Sequence, residues 1–208
     1  MPDLLPMIHA ERGTLADYLA TLGPDDWSHG TWCDKWNVQQ LVGHLIAAAN
    51  VTAPHFFVGL VKSGFSFDRF VDGDLRSFAE GSPDQVLQRF QGIITSDRTP
   101  PGPTYVALGE VMVHGEDIRR ALGGPGEHPE EHLVTLADLY KKTGAPLHGK
   151  KRAAGLRFEA TDTDWTTGDG PVVSGPTMSL IMAIVGREGA LADCSGDGVD
   201  LLRTRATV

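Results

Sequence analysis

The chain has 208 residues, an apolar fraction of 41% and a formal net charge of −9 at pH 7, which is enough for one large domain or two small ones with a real core. Its basic residues are scattered, which argues against a nucleic-acid partner and against an anionic membrane surface. No apolar run approaches the roughly 20 residues that cross a bilayer, and the opening MPDLLPMIHAERG lacks a basic region followed by an apolar one, so a cytoplasmic protein is expected.

Ile8, Leu15, Leu19 and Leu22 recur at helical spacing and stop at Gly23-Pro24, which predicts a helix over about residues 8–22. Trp27 and Trp32 follow in a loop. Asn37 then reads as an N-cap with Gln40 as its capping-box partner, and Trp36 as a hydrophobic staple onto Leu41. The helix so started turns Val38, Leu41, Val42, Leu45 and Ala48 inward, with His44 on the same side. An imidazole there is either a core residue bonded to a backbone carbonyl or a metal ligand. His55, at about 1.5 Å of rise per residue, stands roughly 16 Å further along and cannot share an ion with it. Of the two cysteines, Cys194 is far from Cys33, and their spacing suits neither a disulfide framework nor a cysteine zinc knuckle. Cys33 reads as packing among Trp32 and Trp36 rather than as a nucleophile.

Between Ser63 and Gly81 the periodicity is weak, and Phe65, Phe67, Phe70 and Phe78 read as core or pocket lining that could flank a substrate entrance. Ser82 caps the next helix, with Pro83 in its first turn and Val86, Phe90, Ile93 and Ile94 at helical spacing. After the TPPGP break comes the stretch on which the chain is organised, LGEVMVHGEDIRRALG, from Leu108 to Gly123. Glu110, His114 and Asp117 stand four and three residues apart, so one line of a helix carries a carboxylate, an imidazole and a second carboxylate. Leu108, Val111, Met112, Ile118 and Leu122 form an apolar stripe beside it, and Glu116 and Arg120 fall on what reads as the solvent face. Within this segment alone, Glu110 and His114 are equally a surface pair. His44 on a second core-facing helix breaks the tie, because packed helices project such residues into a shared interior. His44, Glu110 and His114 are therefore the expected ligands of one divalent ion. Two imidazoles and a carboxylate suit zinc and leave a coordination position open. Asp117 either orients a ligand or pairs on the surface with Arg119 or Arg120.

Pro129 opens a further helix carrying Leu133, Leu136, Ala137 and Tyr140. Lys150, Lys151 and Arg152 then mark a linker, giving a helical domain over residues 1–148 and a small α+β domain over 153–208 that is expected to cover the metal cleft. Leu156, Phe158 and Ala160 alternate with polar residues as a strand. Gly168 and Gly170 turn into a short strand at Val172-Val173, Pro176 starts an apolar helix through Met178, Ile181, Ile184 and Val185, and Val199 to Arg203 alternates as a last strand. Arg187, just past the apolar helix, either clamps a substrate carboxylate bidentately or serves the helix C-terminus.

The stretches WNVQQLVGHL, GEVMVHGEDIRRALG, ATDTDW, GDGP, GREGAL and SGDGVDLL, in this order and spacing, resemble the mycothiol-dependent maleylpyruvate isomerase family over nearly the whole chain. The resemblance implies a DinB-like four-helix bundle followed by a small C-terminal α+β domain of the sterol-carrier-like type. It implies a divalent metal, usually zinc, on His44, Glu110 and His114, with mycothiol as the thiol cosubstrate. Asp117 matches the aspartate that follows the second histidine, and Arg187 stands in the GR element where the family uses an arginine in catalysis. The expected partners are a small-molecule thiol and a small electrophilic substrate, on a monomer or homodimer. A thiolate that adds to an activated double bond lets it rotate before elimination, which is cis-trans isomerisation; attack on a carbon bearing a leaving group is thiol transfer, and the same site could run either. Two competing expectations are a metal-dependent hydrolase in which Glu110 or Asp117 assists the attack of water, and a non-catalytic zinc-binding or regulatory module. Thiol-dependent turnover separates the first from both.

Overall fold

Capping chemistry starts two helices of the N-terminal half. The computed structural model describes residues 3–64, 77–100, 102–145 and 147–206, and its chain forms two compact units, Met1–Gly126 and Glu127–Val208. The first unit contains α1 (Leu5–Leu19), α2 (Val38–Asn50), α3 (Ala53–Lys62), α4 (Pro83–Gln91) and α5 (Tyr105–Leu122). Both α2 and α4 open with complete capping boxes, Asn37 with Gln40 and Ser82 with Gln85, so two N–H groups at each helix start are satisfied before any tertiary contact forms.

Helix α1 packs on α4 and α5, and α2 packs on the same two, so these four close a ring around one interior: the expected four-helix bundle. Ile8, Leu15 and Leu19 enter it from α1, Leu41 and Ile46 from α2, Phe90 from α4, and Leu108, Met112 and Ile118 from α5. Each is essentially inaccessible to water, and such burial contributes about 1.5–3 kcal/mol per side chain. Gly43 sits where a side chain would stand 2.8 Å from Ala79 Cβ. Its lack of a Cβ lets α2 approach the segment before α4, beside the position of His44.

The second unit holds α6 (Glu130–Tyr140), α7 (Gly149–Ala153), strands β1 (Arg157–Ala160), β2 (Thr166–Thr167) and β3 (Val172–Gly175), then α8 (Thr177–Ile184) and α9 (Val199–Ala206). Strand order is β2-β1-β3, with β1 antiparallel to β2 and parallel to β3, and Phe158 opposite both Thr167 and Val173. Gly168 and Gly170 take φ of 80° and 126° in the turn before β3, a conformation that costs glycine little. Every residue of α8 is buried, as befits a helix apolar on all sides, and α6, α7, α9, β1 and β3 gather around it.

The structure differs from the sequence reading at three places in this half. The expected boundary near residue 148 falls inside the second unit, because α6 packs on α8. The basic run read as a linker is α7: buried Arg152 donates through Nη1 to the Leu147 carbonyl (2.5 Å) and through Nε to the Arg205 carbonyl (3.1 Å). Val199 to Arg203 is the start of α9 rather than a strand, with Leu202 inside and Leu201 facing out. Five residues are too few for alternation to exclude a helix. Phe78 is half-buried, while Phe65, Phe67 and Phe70 lie outside the described residues.

Candidate metal centre

Two helices and one loop bring the donor atoms together. The capping box at Asn37 fixes where α2 begins, and with it the facing of His44; Asn37 Oδ1 accepts the Gln40 N–H at 2.9 Å while Gln40 Oε1 accepts the Asn37 N–H at 3.1 Å. The His44 ring faces α5, where its Nε2 lies 2.7 Å from Glu110 Oε2. Its partner is thus a carboxylate on another helix. Glu110 Oε2 is also 3.5 Å from His114 Nε2. Donor atoms of His44, Glu110 and His114 all fall within 4.8 Å of one another. The two imidazoles are largely buried, and Glu110 is the most open of the three, its side chain 28% exposed. Solvent therefore reaches the cluster on the carboxylate's side.

Asp117 is the residue whose two readings the structure separates. It is completely buried, and its Oδ2 accepts from His114 Nδ1 at 2.9 Å. Complete burial overturns a surface position for this carboxylate. Arg119 Nη2 donates to the Thr14 carbonyl (3.1 Å), with its guanidinium over the Tyr18 ring, and Arg120 Nε donates to Glu116 Oε2 (2.8 Å). A proton held on Nδ1 leaves the lone pair of Nε2 on the side of Glu110 and His44. Glu116 corrects the solvent-face reading too: it is fully buried, and its Oε1 accepts the Gly126 N–H at 2.7 Å.

The loop ahead of α2 is tied down by the Trp32 N–H, which donates to the Asp117 carbonyl at 3.1 Å, and by Thr31 Oγ1, which donates to the Trp36 carbonyl at 2.8 Å. So anchored, it adds two residues whose part the sequence reading missed. Trp36, read as a staple onto Leu41, stacks on the His44 ring with centroids 4.8 Å apart and meets His114 edge-on at 6.4 Å. Cys33, read as packing, brings its Sγ within 4.8 Å of donor atoms of His114 and Asp117. Neither is signalled by spacing, because a loop carries no periodicity. Arg12, on α1, is a third residue whose part the sequence reading missed. It lines a narrow cavity with Glu110, Leu45 and Phe90 and donates to the carbonyls of Ile93 (3.0 Å) and Ser96 (2.8 Å); burial lowers its pKa.

The residues present fit a divalent ion. Two nitrogens and a carboxylate oxygen from separate turns converge on one point, and one imidazole is oriented from behind by a carboxylate, the arrangement that fixes tautomer and ring direction in histidine-ligated centres. Arg187 belongs to the other unit. It is half-buried after α8, its N–H donates to the Met182 carbonyl at 2.8 Å, and its charge is close enough to Arg152 to add to the lowering of that group's pKa, which burial dominates.

Residues 8–61 match the model of the mycothiol maleylpyruvate isomerase N-terminal domain. Among solved structures, a crystal structure of the mycothiol-dependent maleylpyruvate isomerase superposes with a TM-score of 0.63 at 17% identity, covering 93% of this chain and 91% of that one. A mutant of the same enzyme superposes at 0.58 and 15% identity, with the same coverage. No curated protein matches the chain. At these identities the structural likeness is one of fold, and with the matched N-terminal domain it bears out the family resemblance drawn from the sequence motifs.

Proposed function

We propose that this chain is a mycothiol-dependent metalloenzyme that holds a divalent ion, zinc by the nature of its donors, through His44, Glu110 and His114, and isomerises or thiolates a small electrophile. The observation that carries the reading is the convergence of those three donors, from two helices that each begin or continue on independent grounds, on one partly open point backed by Asp117. A bound ion there supplies positive charge that stabilises a thiolate at neutral pH. His44 and His114 bind in their neutral forms, Asp117 holds the Nδ1 proton of His114, and Glu110 offsets part of the ion's charge. Trp36 covers the imidazoles on one side and excludes water from them. Orientation of thiol and electrophile in such a cleft supplies the larger part of the rate. For Arg187 the proposed role, carried by its place in the GREGAL motif, is to bind a substrate carboxylate.

The test is metal analysis of the purified chain combined with titration by mycothiol. One divalent ion per chain is expected, lost in the His44→Ala/His114→Ala double variant, and a cobalt-loaded sample should develop a sulfur charge-transfer band when the thiol is added. Full metal content in the double variant would show the ligands to be others. If millimolar mycothiol leaves the metal spectrum unchanged, the thiol-dependent reading gives way to the hydrolase or the zinc-binding module.

A further inference from the structure

Beside the donor cluster, the first unit carries a groove of about 790 Å³ lined by Trp27, Trp36, Asn37, Gln40, Lys35 and Glu80, among others. Its volume lies within the range of about 300–1,000 Å³ that small-molecule sites occupy. Trp36 lines this groove and also stacks on His44, so one indole forms a wall shared with the donor cluster. We propose that the groove is a binding subsite for a neutral, hydroxyl-rich moiety, a sugar or cyclitol ring. Resting on the function proposed above, this is the part of the thiol cosubstrate that carries no sulfur.

The lining chooses that chemistry over the alternatives. The capping box consumes the carbonyl oxygens of Asn37 and Gln40. Their amide NH₂ groups have no partner among the described residues and remain as hydrogen-bond donors beside the groove. Gln39 has the complementary arrangement: its nitrogen is spent on the carbonyls of Ala79 (2.6 Å) and Gly81 (3.1 Å), and its carbonyl oxygen is left as an acceptor. The charges present, Lys35 and Glu80, are of opposite sign, and no arginine among the described residues lines the groove, which disfavours a phosphate or carboxylate as the recognised group. An indole face takes the C–H side of a saturated ring, while amides of both polarities take its hydroxyls.

The capping box also supplies a clean variant. In Asn37→Ser/Gln40→Glu the box survives as a serine and glutamate pair, while both amide donors vanish. Calorimetric titrations of the full chain, wild type and variant, would use mycothiol and its sulfur-free, uncharged N-acetylglucosaminyl-inositol fragment as probes. Both probes should bind the wild type, and the variant should lose about tenfold in affinity for each, as expected for two neutral hydrogen bonds, with unchanged melting temperature and metal content. In the wild type, the Trp36 indole N–H resonance should move when the fragment alone is added. Mycothiol binding without any fragment binding, or equal affinity of variant and wild type for the fragment, would overturn the subsite and leave the metalloenzyme reading standing. Fragment binding that moves the Trp36 resonance, together with a cobalt spectrum indifferent to mycothiol, would uphold the subsite and sink the thiol-dependent reaction.

Discussion

Helices α5 and α8 each bury most of their residues, and they are buried in opposite ways. Helix α8 hides only apolar side chains and the hydroxyls of Thr177 and Ser179, whereas α5 hides Glu116, Asp117 and Arg119 along with Leu108, Val111, Met112 and Ile118. Interior charges cost several kcal/mol each unless paired and hydrogen-bonded. In α5 each has its partner: Glu116 takes Arg120 and the Gly126 N–H, Asp117 takes His114, and Arg119 takes the Thr14 carbonyl and the Tyr18 ring. The contrast separates a helix that organises a core from one that organises a polar centre. In α5 two arrays run side by side, one of which only fastens the helix while the other aims an imidazole.

Removing one charge from the fastening array should have a large effect on stability. Glu116→Ala removes one acceptor from the Arg120 guanidinium and one from the Gly126 N–H, and a loss of about 3 kcal/mol is expected in denaturant unfolding. In α8 the comparable change is apolar: Ile181→Ala should cost about 2–4 kcal/mol through the cavity it leaves, with one metal still bound per chain. Near-neutral effects of Glu116→Ala would mean that α5 tolerates its buried charges without pairing.

On the aiming array the same kind of change should read out in metal affinity. Asp117→Asn keeps an acceptor near His114 Nδ1 but removes the charge, and Asp117→Ala removes both. Chelator competition should show affinity falling about tenfold in the first and nearer 100-fold in the second. Equal affinity in all three proteins would make Asp117 a buried structural carboxylate only. Metal binding should also weaken progressively in acid, since protons compete with the ion for both imidazoles.

The smallest effect belongs to the periphery of the second unit. Burial raises the pKa of Asp138, but hydrogen bonds from Lys141 Nζ (2.7 Å) and the Trp165 indole (3.1 Å) outweigh it and leave the carboxyl below its usual range. A depressed carboxyl stabilises the fold above its unfolded-state pKa and loses that contribution as pH falls through the lower folded value. Asp138→Asn should therefore flatten the acid limb of the stability profile below about pH 4 and change little at neutrality, because the side chain is 49% exposed. A steeper acid limb in the variant would reverse the assignment.

Much of the candidate site was legible because its grammar is local. The capping box at Asn37 sets the phase of α2 and therefore the facing of His44, and the spacing of Glu110, His114 and Asp117 aligns them on any α-helix. The ordered motifs added the bundle and its family resemblance. What the sequence could not decide is which faces other elements cover. Glu116 lies opposite the apolar stripe of α5 and still goes inside, because Arg120 and the backbone at Gly126 fold over it. The helix at Glu130–Tyr140 reads the same whichever unit it joins, and only its packing on α8 assigns it to the second. Cys33 and Trp36 reach the imidazoles through a loop pinned to the Asp117 carbonyl. Periodicity fixes direction about a helix axis over a few residues, whereas burial and loop placement depend on partners tens of residues away, and that information exists only once the chain has packed.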